Sequence, residues 1–159
     1  MNAMSGHFRY TQWDPQLIIS QIITIQSLFY TSLGVLIYVS DCLTGHSPQL
    51  SHIFNYQELT FKSGHGRLII LSYLVNALFG ALVLWHLVQR AKPCLDFSVT
   101  THLIHLLICW TFNGHFPSSM WWWVLNIMCV TITCVCGEYL CLKTELKSIP
   151  LTLSQKADV

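Results

Sequence analysis

The chain has 159 residues, enough for one domain. Hydrophobic residues make up 53% of it and charged residues 9%, against about 25% charged in an ordinary water-soluble domain. Net charge is +1 with no basic patch, which speaks against a nucleic-acid partner. The seven cysteines form neither a zinc-knuckle spacing nor Cys-x-x-Cys; most sit inside the apolar stretches and the expected non-cytosolic loops hold only Cys42, which excludes a disulfide-built ectodomain.

Charge placement sets the architecture. Asp, Glu, Lys and Arg are absent between Asp14 and Asp41, between Arg67 and Arg90, and between Asp96 and Glu138, gaps of 26, 22 and 41 residues. A hydrocarbon core about 30 Å thick needs roughly 20 apolar helical residues. The first two gaps each fit one span. A single helix through the third would be about 60 Å long, twice the core, so it must fold back. The expected fold is an all-α, polytopic four-transmembrane-helix bundle forming one membrane domain over residues 1–159.

Taken in order, residues 1–14 are a polar tail. The apolar run after Pro15 is too long for a cleavable signal peptide, so the first span is expected to stay as an anchor. Asn2 rules out N-myristoylation, and there is no prenylation box and no Asn-x-Ser/Thr sequon. Asp14 as N-cap and Pro15 at the first helical position open span one, over 15–39. Tyr10 and Trp13 fall where an interfacial aromatic belt would lie. Gln21, Thr24 and Gln26 predict one protein-facing side. Residues 40–67 form the longest loop, where Ser47-Pro48 opens either a short surface helix, with Leu50, Ile53, Phe54 and Gln57 on one side, or a plain ordered loop.

Span two covers 68–88. Ser72, Asn76 and Gly80 recur every four residues beside Ala77 and Ala81, a small and polar stripe expected to face the bundle interior. A short basic loop leads to Pro93 and span three, over 94–112. Asn113-Gly114-His115-Phe116-Pro117 is the breaker that turns the chain back. Span four covers 119–142 and opens on Trp121-Trp122-Trp123, read as an interface anchor. Residues 143–159 form a second polar tail.

With four spans, the two tails and the 89–96 loop share one side. They carry Arg9, Arg90, Lys92, Lys143, Lys147 and Lys156, against Lys62 and Arg67 opposite. Six basic residues against two place both ends in the cytosol.

Few residues suggest chemistry. His86, His102 and His105 fall toward the expected cytosolic side and would be the candidates for a metal or haem, although each imidazole serves equally well as an interhelical hydrogen-bonding group. Glu138 is a carboxylate within a span, either functional or paired with Arg9, Arg90 or Lys92. Cys94 and Cys141 are juxtamembrane, candidates for palmitoylation or for plain packing. No catalytic group emerges and no cofactor is expected. From the residues alone, a membrane adaptor stands against a small transporter or a metal- or haem-binding redox protein using these histidines and Glu138.

A set of short segments resembles the Sys-one family of Golgi integral membrane proteins. They are Trp13-Asp14-Pro15, Gly66-Arg67-Leu68, Asn76-Ala77-Leu78, Cys94-Leu95-Asp96-Phe97 with Thr100 and His102, and His105-Leu106-Leu107 with Cys109-Trp110. Phe116-Pro117, Trp122-Trp123, Gly137-Glu138-Tyr139-Leu140-Cys141, Thr144-Glu145-Leu146-Lys147 and Ile149-Pro150-Leu151 complete it. Their order and spacing cover nearly the whole chain. The resemblance implies a non-enzymatic receptor at the trans-Golgi membrane. Its implied partner is an ARF-related small GTPase with an acetylated N-terminus, recruited in support of Golgi–endosome vesicle traffic. The residues expected to form the contact are Arg90, Lys92, Glu138, Thr144, Glu145 and Lys147, at the cytosolic helix ends.

Overall fold

A computed structural model describes residues 14–49 and 51–148. The expectations for Arg9, Tyr10, Trp13, Leu50 and residues 149–159 lie outside them. Helix α1 runs Pro15–Thr44, α2 Ser51–Phe54, α3 Gly64–Leu87, α4 Cys94–Asn113 and α5 Met120–Ser148, with a 3-10 turn at Tyr56–Glu58. All but α2 are long and apolar enough to cross a membrane.

The expected helix signals act locally. The Asp14 carboxylate accepts from the Gln16 and Leu17 amides at 3.1 and 3.4 Å, with Pro15 behind it. Ser63 caps α3 by accepting from the Gly66 amide at 3.0 Å. Gly45 and Gly114 end α1 and α4 at φ 71°, the left-handed conformation that favours glycine. Three helices outrun their predicted spans, since a span is bounded by hydropathy and a helix by its caps. Helix α1 continues to Thr44 and takes in Asp41. Helix α3 starts at Gly64, and α5 continues six residues past Leu142.

The bundle buries an apolar core threaded by polar side chains and is apolar on its outside as well, unlike a water-soluble protein. Ser72, Asn76, Ala77 and Ala81 are buried, as the stripe on span two predicts. Leu17, Ile19, Ile23, Leu78, Leu103 and Ile127 are all more than half exposed, an apolar surface that only lipid covers at low cost. Helix α3 is central, between α1 and α5, and α4 rests mainly on α5. Asn76 accepts from the Ser32 hydroxyl and donates to the Phe29 carbonyl at 3.4 Å. Ser40 and Ser72 hydroxyls meet at 2.8 Å. Thr133 donates to the Ala77 carbonyl at 3.0 Å, and the same threonine closes on Gly80, where a Cβ would lie 3.4 Å from its methyl. On α1 the buried face is Ile25, Phe29, Leu33 and Ile37, one residue every helical turn. Gln21 turns inward to donate to the Leu87 carbonyl at 3.1 Å, whereas Thr24 turns outward and bonds its own helix.

Of the two ends, one gathers the start of α1, the α3–α4 turn and the end of α5. We call it the tail end, and the other the loop end. At the loop end, residues 45–63 fold over the bundle. Ile53, Tyr56 and Leu59 are buried in the same core cluster as Leu33, Ile69 and Trp122. The Tyr73 hydroxyl donates to the Ile53 carbonyl at 2.6 Å, and Asn113 donates to the Phe54 carbonyl at 2.8 Å. This is an ordered roof, not a helix lying on the surface. The tryptophan triplet also divides. Trp121 faces outward against Phe61, Trp122 is buried in the core, and Trp123 donates to the Pro117 carbonyl at 3.0 Å, closing the turn.

Candidate functional site

The tail end is built by four helices, α1, α3, α4 and α5. Helix α3 ends at Leu87, and the next residues turn through Gln89, which takes a positive φ of 57°. The turn delivers Arg90 and Lys92 to the surface, both exposed. Helix α5 then rises beside them. Thr144 accepts a hydrogen bond from the Trp85 indole at 2.7 Å, and Glu145 accepts from the Ala91 amide at 3.3 Å. These two bonds tie the last turns of α5 to α3 and to the α3–α4 turn. Lys143 and Lys147 remain exposed on the same stretch. Tyr139, Leu142 and Leu146 are 64%, 49% and 62% exposed and fall on one helical face, three and four residues apart. The result is an apolar strip flanked by basic side chains.

Glu138 lies ten residues before the end of α5, about 15 Å along the axis. It is half-buried and accepts from the Cys134 thiol at 3.5 Å. Among the described residues no Lys or Arg pairs with it, so the expected partners Arg90 and Lys92 stand apart, and Arg9 lies outside the described residues. Cys94 and Cys141 are fully buried with their sulfurs 3.7 Å apart, bridging α4 and α5 as packing groups.

Of the three histidines predicted to gather, His102 and His105 share α4 and His86 stands apart. His86 is exposed at the end of α3. His102 is buried and donates through Nδ1 to the Ser98 carbonyl of its own helix at 2.9 Å. His105 is wholly buried within a ring of aromatic side chains, among them Tyr30, Tyr73 and Trp122. Its Nδ1 lies 3.2 Å from the Tyr30 hydroxyl and its Nε2 3.4 Å from the Cys109 sulfur. Both nitrogens are thus engaged, as expected of imidazoles that join helices. Beside His102, a small cavity lined by Ser98, Thr101 and Thr133 leaves about 20 Å³ for the centre of a water molecule, room for one water.

A different group comes together at the loop end. Asp41, in the last turn of α1, is 1% exposed and faces His52 of α2 and His65 of α3. Nothing in the local sequence pattern marks these three, which are separated by 11 and 13 residues. The only hint is that three of the eight histidines fall in the 40–67 segment.

Comparison with known proteins identifies the chain as a whole. A family model for SYS1, described as an integral membrane protein linking to the trans Golgi network, matches residues 8–151. The chain belongs to the SYS1 family. It is 47% identical over 149 residues to a SYS1 homolog of Nematostella vectensis, covering 94% of each chain. It is 39% identical over 151 residues to a SYS1 homolog of Dictyostelium discoideum, covering 95% of this chain and 65% of that one. The SYS1 protein of Saccharomyces cerevisiae is 28% identical over 118 residues, 74% of this chain and 58% of the yeast protein. No solved structure matches. A SYS1 family member is an integral membrane protein linked to the trans-Golgi network, and the four apolar helices and the apolar outer surface described above are the physical form of an integral membrane protein.

Proposed function

We propose that this chain is a trans-Golgi receptor whose tail end faces the cytosol and recruits an ARF-related small GTPase through its acetylated N-terminal helix. In this role it supports Golgi–endosome vesicle traffic and protein transport. The observation that carries the reading is the exposed strip of Tyr139, Leu142 and Leu146 on α5, bordered by Lys143, Lys147, Arg90 and Lys92. The described basic residues at the other end are Lys62 and Arg67, so the positive-inside tendency favours a cytosolic tail end.

Recruitment then follows from two weak signals acting together. An apolar helix alone binds a bilayer only marginally and without choosing a membrane. A protein strip that covers one side of that helix adds apolar burial, at about 25 cal/mol per Å², and restricts it to membranes holding the receptor. Acetylation removes the terminal positive charge, which would be repelled by the basic border and costly to bury. Thr144 and Glu145 hold the strip in place through Trp85 and Ala91 rather than contacting the partner first.

Co-purification tests this. A small GTPase of the ARF-related class should be retained by the wild-type protein in its acetylated form and lost when unacetylated. Leu146→Asp combined with Lys147→Glu alters exposed side chains and should reduce retention at least about tenfold, equivalent to 1.4 kcal/mol. Lys62→Glu should leave it unchanged. Undiminished retention by the Leu146/Lys147 variant overturns the proposal.

A further inference from the structure

Among the described residues, Asp41, His52 and His65 are the only three His, Cys, Asp or Glu side chains whose ligating atoms all lie within 4.8 Å of one another. We propose that they form a binding site for a zinc-type divalent cation that pins the roof at the loop end to α1 and α3. The site is independent of the GTPase reading.

Charge is the first argument. A carboxylate that is 1% exposed is costly to bury unless a cation faces it. The ion-pair partners that the fold gives Asp41 are both imidazoles, His52 and His65, which carry positive charge only when protonated. Asp41 also sits at the C-terminal end of α1, where the helix dipole adds negative potential. A divalent ion answers both without requiring protonation.

Geometry is the second. Tetrahedral zinc, with bonds of about 2.0–2.1 Å, sets its ligand atoms about 3.3 Å apart. His52 Nδ1 lies 3.0 Å from one Asp41 oxygen, and His65 Nε2 lies 3.6 Å from the other. Both lie within about 0.3 Å of that spacing, and all three ligand atoms fall within 4.8 Å of one another. The Thr44 hydroxyl lies 2.9 Å from the Ser40 carbonyl and 3.1 Å from His65 Nδ1. With its proton on the carbonyl, it accepts from Nδ1–H, and Nε2 then carries the lone pair on the side of Asp41, the state a metal ligand needs. His46 stacks on His65 at 4.3 Å and fixes its plane.

Access is the third. A cavity of about 230 Å³ lined by α1 together with Pro48, Gln49 and Ile53 has Asp41 in its wall, which gives an ion a route to the carboxylate. Two imidazoles and one carboxylate favour zinc over magnesium or calcium, which prefer all-oxygen shells.

The full chain should be purified in detergent without a polyhistidine tag, stripped with chelator and titrated with zinc. We expect one zinc per chain after desalting, a rise in the thermal midpoint, and with cobalt(II) the intense visible band of a tetrahedral site. Magnesium should do none of this. His52→Gln should weaken zinc affinity at least about tenfold, on the scale of ligand-shell losses, and His86→Gln should not. Because His52 is only partly buried, on the four-residue helix α2, its variant decides the matter even if Asp41→Asn does not fold. Zinc content well below one per chain, or equal zinc responses from wild type and His52→Gln, overturns the site.

Discussion

Asn76 is the most informative single position in the membrane core. It is 1% exposed at the middle of α3, accepts from Ser32 and donates to the Phe29 carbonyl. Replacing it by alanine removes one good interhelical hydrogen bond and one long one. Such bonds within a bilayer are worth about 0.6 kcal/mol on average and about 1.7 at most. The Ser32 hydroxyl is not stranded, since it also reaches the Leu28 and Phe29 carbonyls of its own helix, so no orphan penalty is added. The void left by the amide adds on the order of 1 kcal/mol. Asn76→Ala should therefore destabilise the fold by about 1.5–3 kcal/mol. A double-mutant cycle with Ser32→Ala should return a coupling of about 0.6–1.7 kcal/mol, measured by equilibrium unfolding of the four proteins in mixed micelles of rising dodecyl sulfate content. A coupling under about 0.3 kcal/mol, within ordinary additivity, would refute the claim that this bond joins α1 to α3.

Three further outcomes follow from named contacts. A Cβ on Gly137 would lie 3.3 Å from Leu84 Cδ1 and 3.6 Å from its Cβ, and Leu84 is 1% exposed. Gly137→Leu should therefore cost about 1–3 kcal/mol or more through overpacking in the same unfolding assay, and wild-type stability would count against the close α3–α5 approach. In thiol labelling of folded protein, exposed Cys42 should react well before buried Cys94 and Cys141, and acyl exchange should find neither of the latter palmitoylated; early labelling of Cys141 would mean that the tail end opens. A flexible insert bearing an Asn-x-Thr acceptor should be glycosylated when placed at residues 47–49 and not when appended after Val159. The reverse pattern would invert the proposed orientation.

The fold was legible because lipid imposes a coarse rule. Long stretches without charge must become helices whose backbone bonds are satisfied internally, and that alone yields four spans, the turn at Asn113–Pro117 and the buried face of Ser72 and Asn76. Helix ends were less legible. Hydropathy stops at Val39 and Leu142, but the hydrogen-bond ladder stops only where Gly45 or the end of α5 allows. The tail-end residues were legible as a set, because Arg90, Lys92, Thr144, Glu145 and Lys147 flank consecutive helix ends. The Asp41–His52–His65 group was not. It exists only because the 45–63 segment folds back over the bundle, and that return is directed by Tyr73 and Asn113, side chains far away in sequence. The histidines that looked meaningful, His102 and His105, turned out to be close together along one helix for packing reasons.

The two ends of the bundle are fastened in different ways, and this bears on where a partner can act. At the loop end, buried Asp41 and Tyr73 and half-buried Asn113 hold the roof, through hydrogen bonds of 2.6 and 2.8 Å and through the Asp41 cluster. At the tail end, the bonds described for the last turns of α5 include those from Trp85 to exposed Thr144 and from Ala91 to half-buried Glu145. Hydrogen bonds open to solvent open first, so local unfolding should begin at the last turns of α5. A receptor that must admit an apolar helix needs its freedom there and its rigidity elsewhere. Hydrogen exchange in the intact protein should then show Lys143–Lys147 exchanging orders of magnitude faster than the centre of α3. Bound GTPase should slow the former and leave the latter unchanged. Uniform protection along α5 in the unbound protein would mean that the docking strip is rigid from the start, and that recruitment gains nothing from ordering it.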